Sequence, residues 1–306
     1  MNTFTPEQVS PVVAIDRYKD LPILRRLDQS SGRHYYTVDP ERTPALKFYP
    51  SWTTVIKRIC GTSEYLVKWY ADMGYAEAKR YMAERADYGT ILHILLAEFM
   101  THGKLNLDHV IHKAGAYMLA ASRNTNIVDP WIEDLKKDVL SFAAWMQEKE
   151  VEIEGVEVPM VSEAMGIAGT IDIICTLKFG KSRVRAIVDI KSGRKGFYPE
   201  HKYQLHGYMA MHNENVANEN EHATMVFNWS PKDWQKSPTY NFENQTDAAE
   251  GKALPLLVAQ YNALNPEAKP GTVLKTSGTL ELGSTLSDFY KVVDVEEVLM
   301  KYHNIE

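Results

Sequence analysis

Asp172, Asp189 and Lys191 are the residues of this 306-residue chain whose types and spacing most directly suggest chemistry. Asp172 lies in the apolar, β-rich run from Ile167 to Leu177, and Asp189 and Lys191 sit two apart in Val188-Asp189-Ile190-Lys191. On a strand, residues two apart project from one face. Two carboxylates and an ammonium converging on one sheet edge form a hard, oxygen-rich site for a divalent cation beside a positioned proton handler. Phosphodiester hydrolysis needs that set: a cation lowers the pKa of the attacking water, offsets developing charge and stabilises the leaving oxygen. The plain alternative is a pair of surface aspartates on edge strands. Aspartate is disfavoured inside apolar strand text such as Thr-Ile-Asp-Ile-Ile, and a breach of local preference of this kind marks functional positions.

Other candidates surround this pair. Gln204 and Tyr208 are four apart, on one face of a helix that follows the Asp-Ile-Lys strand directly. An amide and a phenol there can bind a DNA backbone or orient the lysine, although a partly exposed amphipathic helix shows the same spacing. His93 lies in Ile91-Leu92-His93-Ile94-Leu95-Leu96, where a lone histidine is more often a satisfied core residue. Its neighbours Gly89 and Ala97, one turn away on the same face, are small enough to admit a sheet edge or a cation. Glu163, nine residues before Asp172, is a further acidic candidate acting through water; a solvent-facing strand glutamate reads identically. Gly180-Lys181-Ser182 looks like the end of a P-loop, but the first glycine would fall at Cys175 and the triplet joins two strands, so no NTPase is indicated.

The elements that must position these groups change character along the chain. Residues 1–50, with scattered prolines and mixed charge, are expected to be an arm with little regular structure. Ser51 offers a cap for a short helix over Trp52–Arg58. Helical spacing runs from Ser63 to about His102, with breaks expected near Gly74 and Gly89, and again over Leu107–Arg123. Asp129-Pro130 opens a long amphipathic helix carrying Trp131, Leu135, Val139, Phe142 and Trp145. From Val151 the period becomes two, and strands are expected at 151–158, 161–165, 168–177 and 184–190. A helix from Pro199 to about His212, a strand over Ala223–Trp229, a helix over Ala248–Leu264, a strand near Phe289–Val293 and a final helix capped by Asp294 and Glu297 complete the reading. The expected fold is α/β: a central mixed β-sheet flanked by helices, with a helical N-terminal elaboration. As domains, 1–50 form the arm and 51–306 a single unit, helical to about 150, α/β to about 235 and a C-terminal elaboration beyond.

Composition sets outer bounds. Hydrophobic content of 44% and charged content of 24% are those of an ordinary globular protein. The opening MNTFTPEQVS has no basic stretch followed by an apolar run, so no secretory signal is expected, and no run approaches the ~20 apolar residues of a membrane span. Two cysteines, Cys60 and Cys175, cannot build a cysteine zinc site or a four-cysteine iron–sulfur cluster; a reducing cytoplasm is the expected setting. A net charge of −6 argues against indiscriminate nucleic-acid wrapping. Lys178, Lys181, Arg183, Arg185, Lys191, Arg194 and Lys195 nevertheless form a local basic cluster suited to a polyanion, or simply a solvated hairpin tip.

Taken in order, His93, Glu163, Gly169-x-x-Asp172, Asp189-x-Lys191 and Gln204-x-x-x-Tyr208 resemble the PD-(D/E)XK nucleases, in particular the RecB-like exonuclease branch that includes Cas4. The resemblance covers about residues 86–230. It implies a restriction-endonuclease-like core and a Mg²⁺ or Mn²⁺ ion held by His93, Asp172, Asp189 and the carbonyl of Ile190. It also implies that Lys191 positions or activates water, with Gln204 and Tyr208 as the accessory pair. The cluster-binding cysteines of Cas4 are missing. The expected activity is a metal-dependent exonuclease acting on DNA ends in recombination, repair or phage DNA metabolism, with any helicase or recombinase supplied as a separate partner. The rivals are a structure-selective endonuclease of the same fold and a non-catalytic DNA-binding subunit; the complete set of acids and lysine argues against the latter.

Overall fold

The computed structural model describes residues 47–120, 131–194 and 196–265, together with Tyr18, Leu21, 24–28, 34–38, 272–276 and 290–294. Where an arm of little regular structure is expected, three short strands pair antiparallel in the order β1 (Leu24–Asp28), β2 (His34–Val38) and β3 (Phe48–Pro50). Burial explains the order found there: Tyr36 and Tyr49 pack with Val161 and Ala168, so this small sheet is held by apolar contact with the main one.

Ser51 then caps α1 (Trp52–Cys60), its hydroxyl accepting the Thr54 N–H at 3.1 Å. Helix α2 (Glu64–Met73) ends at Gly74, which takes a positive φ of 85°. The second expected break does not occur: α3 runs unbroken from Tyr75 to His102 through Gly89. A Cβ on Gly89 would lie 3.1 Å from the Ser192 hydroxyl, so this glycine serves close helix–loop approach rather than helix termination. α4 (Val110–Ala120) and α5 (Ile132–Glu148) follow; Asp129-Pro130 and Arg123 lie outside the described residues.

The main sheet has the order β4 (Glu152–Ser162), β5 (Ile167–Phe179), β6 (Ser182–Ile190), β7 (Met225–Pro231) and β8 (Tyr240–Asn244). The two strands expected over 151–165 are one, with an irregularity between Ile153 and Gly155. Every neighbouring pair is antiparallel except β6–β7, which is parallel. Parallel neighbours require a crossover, here α6 (Pro199–Asn215). One face packs Ile173, Cys175, Val188 and Trp229 against α3, α4 and α5. The other packs Ile171, Ile174, Ile187 and Val226 against α1, α6 and α7 (Leu254–Leu264). The result is the expected mixed sheet between helical layers. Strands β9 (Thr272–Thr276) and β10 (Tyr290–Asp294) pair antiparallel; Glu297 lies outside the described residues. Among the described residues, no helix is long and apolar enough to cross a membrane.

Candidate active site

The site lies where the sheet forks. The β5–β6 ladder begins at Ile173↔Val188; before it β5 pairs with β4, and Ala168 also forms a parallel bridge with Ser51. One step beyond that last rung stand Asp172 and Asp189, facing each other across the opening. The Asp172 carboxylate takes the place of a missing rung, accepting the Ile190 N–H at 2.7 Å. Sheet divergence therefore creates both the space and the unpaired backbone that two acids can use.

Each candidate has a definite place. Asp189 is fully buried; its Oδ2 accepts from Lys191 Nζ at 2.7 Å and from Asn228 Nδ2 at 3.0 Å. The same-face reading of Asp189 and Lys191 thus ends in direct contact. Lys191 Nζ also donates to Gln204 Oε1 at 2.9 Å, and Gln204 Nε2 donates to the Tyr208 hydroxyl at 2.9 Å. Gly169 makes room for that tyrosine: a Cβ there would lie 2.7 Å from its ring. His93 reaches in from α3, with Nδ1 3.0 Å from Glu157 Oε1. Glu163 is elsewhere. It is more than half exposed and bonded to Lys47 and Tyr49, outside the cleft that His93, Asp172, Lys191, Gln204 and Tyr208 share.

Glu157 is the acid that sequence reasoning missed. It falls between the β4–β5 pairs Val156↔Ile173 and Val158↔Ile171, which sets it opposite Asp172. Its φ of +49° is unusual for any residue but glycine, and such strain gathers at functional sites. The available signal was its alternation in Val156-Glu157-Val158, which looks the same for an exposed strand glutamate. Asn228, opposite Asp189 on β7, carried no sequence signal at all.

The electrostatics follow from burial of like charges. Burial raises the Asp172 pKa, and the Glu157 charge adds to it. Burial likewise pushes Asp189 up to about 6, against the opposing pull of Lys191. Burial disfavours the His93 imidazolium, yet the charge of Asp172 and the bond and charge of Glu157 outweigh it and raise the pKa to about 9. Such a centre calls for positive charge. His93, Glu157 and Asp172 each offer a ligand atom, all within 4.8 Å of one another, and Asp189 Oδ1 is buried with no hydrogen-bond partner among the described residues. An imidazole, carboxylate oxygens and an orphaned buried acceptor fit a hard divalent cation.

The loop after Lys191 is pinned from outside. Arg194 Nη2 donates to the buried Asp138 of α5 at 2.6 Å, and Asp138 also accepts from the Tyr88 hydroxyl at 2.6 Å. Arg85 of α3 donates to the Ser192 carbonyl at 3.2 Å. Two helices thereby fix the backbone that carries the lysine. Three others of the expected basic cluster serve structure: Lys178 pairs with Glu150, Arg183 with Glu152 at 2.9 Å and Arg185 with Glu154 at 2.8 Å, while Lys181 is exposed at the hairpin turn. Lys195 lies outside the described residues.

A forked mixed sheet thus brings together buried acids, a helix-borne histidine and an acid-bound lysine. The sequence profile of the PD-(D/E)XK nuclease superfamily matches residues 66–270, and the chain belongs to that superfamily. Membership implies a divalent-metal-dependent nuclease, a phosphodiester hydrolase. No curated protein sequence matches the chain.

Proposed function

We propose that this protein is a DNA exonuclease of the RecB-like branch, using Mg²⁺ or Mn²⁺. The observation that carries the reading is the bonded series Asp189–Lys191–Gln204–Tyr208, in which the buried Asp189 anchors a lysine that lines, with Asp172, Gln204 and Tyr208, one open cleft of about 910 Å³. His93, Glu157, Asp172 and Asp189, with the Ile190 carbonyl, would hold the cation; one imidazole among oxygens suits Mn²⁺ as well as Mg²⁺. When bound, the cation supplies Lewis-acid stabilisation of the charge that builds on the phosphate.

The chain's own residues do the rest. Lys191 is fixed by Asp189 on one side and Gln204 on the other, so its ammonium can orient the attacking water and share the developing charge. Gln204 has its amide committed in both directions, to Lys191 and Tyr208, which fixes the lysine's angle of approach. Asp172 lines the cleft and the buried Asp189 lies behind Lys191, so the centre is acidic. The free cysteines, Cys60 exposed and Cys175 buried, support a reducing cytoplasmic setting. Duplex unwinding, where required, would fall to a separate helicase.

The test is incubation of end-labelled linear DNA and closed circular DNA with the full chain and Mn²⁺ or Mg²⁺. Degradation of linear DNA alone supports the exonuclease. Cutting of closed circles transfers the reading to a structure-selective endonuclease, and binding without cleavage of either leaves a non-catalytic DNA-binding subunit.

A further inference from the structure

The pair formed by α2 and the first three turns of α3 is not built as part of a core. From Glu64 to Ala86 the only buried residue is Ala78. Yet the segment is rich in large rings: Tyr65, Tyr75 and Tyr81 are 69%, 68% and 47% exposed. Tyr81, Trp69, Tyr70 and Tyr75 form a continuous row with successive ring centroids 5.9, 5.5 and 5.7 Å apart. A projecting hairpin that leaves such rings in water keeps them for a ligand or partner.

Its position says which. The root of the hairpin is the wall of the candidate cleft: Ser63, Leu66, Ala86 and Gly89 line the same space as His93 and Asp172. Lys57, at the last turn of α1, lines it too and has no ion-pair partner among the described residues. Burial and the charges of Arg26 and Lys191 depress its ammonium pKa, the sign of a locally positive wall. On the hairpin, Arg80 is bonded to both Glu77 and Glu84, so those acids present less charge to an anion, while Lys79 sits over the Tyr75 ring at 5.5 Å. Exposed rings on a hairpin whose own charges balance, running into a cleft with Lys57 and Lys191 in its wall, match the way sequence-tolerant single-strand sites work: bases stack on rings and a basic groove follows the backbone.

We propose that the α2–α3 hairpin is a stacking platform for an unpaired DNA strand, with Lys57 gripping a backbone phosphate where the strand enters the cleft. The proposal rests on the nuclease reading and adds the form in which substrate is received. Bases of the incoming strand lie against Tyr65, Tyr75 and Tyr81. A blunt duplex, whose bases are already stacked on one another, gains nothing from these rings.

The experiment measures binding by the full chain, in chelator so that nothing is cut, to labelled oligo(dT) and to a blunt duplex of the same length. The wild type is expected to favour oligo(dT) by about tenfold or more, since each stacked base contributes substantially. A Tyr65→Leu/Tyr75→Leu/Tyr81→Leu protein keeps apolar bulk but no rings, and should lose most of that preference. The corresponding triple Phe protein should retain it. Lys57→Gln should weaken binding of both DNAs and reduce the salt dependence by about one phosphate contact. Equal oligo(dT) affinity in the wild-type and triple Leu proteins overturns the proposal. So does a triple Leu protein that changes from dimer to monomer in sedimentation without losing DNA, which would make the patch an interface between copies. Failure of the nuclease reading shows separately, as no cleavage of any DNA by the wild type once cation is restored.

Discussion

At the residue scale, the site is a compromise between burial and charge. Asp172 and Asp189 are held against their desolvation by one backbone N–H, one amide and one ammonium, which satisfies some of their oxygens and leaves Asp189 Oδ1 open. Removing one partner from such a set costs more than the bond itself, because the other is left buried and unpaired. The distinction between Glu157 and Glu163 is the sharpest consequence. Glu157→Gln removes a carboxylate from the His93–Asp172 cluster, and Mn²⁺ binding followed by calorimetry should weaken by about tenfold or more. Glu163→Gln, altering an exposed contact with Lys47 and Tyr49, should leave the Mn²⁺ affinity within about twofold. The reverse ranking would move the acidic ligand to the other end of β4.

At the scale of elements, glycines decide how closely helices seat on the sheet. Gly207 of α6 faces the Trp52 indole of α1, and a Cβ there would lie 2.1 Å from its Nε1. The same indole N–H donates to the Tyr203 carbonyl at 2.8 Å, so the ring cannot swing aside without losing that bond. Gly207→Ala should therefore destabilise the fold by about 1–3 kcal/mol, the usual cost of overpacking, visible as a lower urea midpoint with an unchanged m-value. A midpoint equal to wild type would show that α1 and α6 can separate freely. The helices, hairpin and crossover were legible from periodicity and caps: α1, α5, α6 and the β5–β6 hairpin fall close to their expected places. Strands β1, β2 and β8 were not, because they are short, partly polar and stabilised by what they pack against rather than by a pattern of their own. Gly89 misled for a related reason. A glycine that spares room for Ser192 is indistinguishable in sequence from one that ends a helix.

At the scale of the whole molecule, pH stability depends on groups the site places under strain. The His201 Nδ1 accepts the Tyr198 N–H at 3.2 Å in the cap of α6. Burial, with the Lys191 charge beside it, lowers its pKa to about 3. The unfolded chain therefore takes up this proton first as the pH falls through about 6.5, and stability declines toward pH 3 at no more than roughly 1.4 kcal/mol per pH unit. His201→Gln, whose amide can still cap, should lose less melting temperature than wild type between pH 7.5 and 5.5; an equal loss would assign the acid sensitivity elsewhere. Of the candidate site, the strand aspartates were the most legible part, since aspartate inside apolar strand text breaks a local preference, whereas the Gln204/Tyr208 spacing alone is that of any amphipathic helix. Glu157, Asn228 and the Arg194–Asp138–Tyr88 lock were hidden because only the tertiary fold brings them to the fork. Release of nucleotide from linear DNA, with Mn²⁺ as the sole divalent cation, is the most direct test of the site when the wild-type and Asp189→Asn proteins are compared. Release by the wild type and a fall of about a hundredfold or more in the variant are expected. No release by the wild type, or an Asp189→Asn protein that works at the wild-type rate, would contradict it.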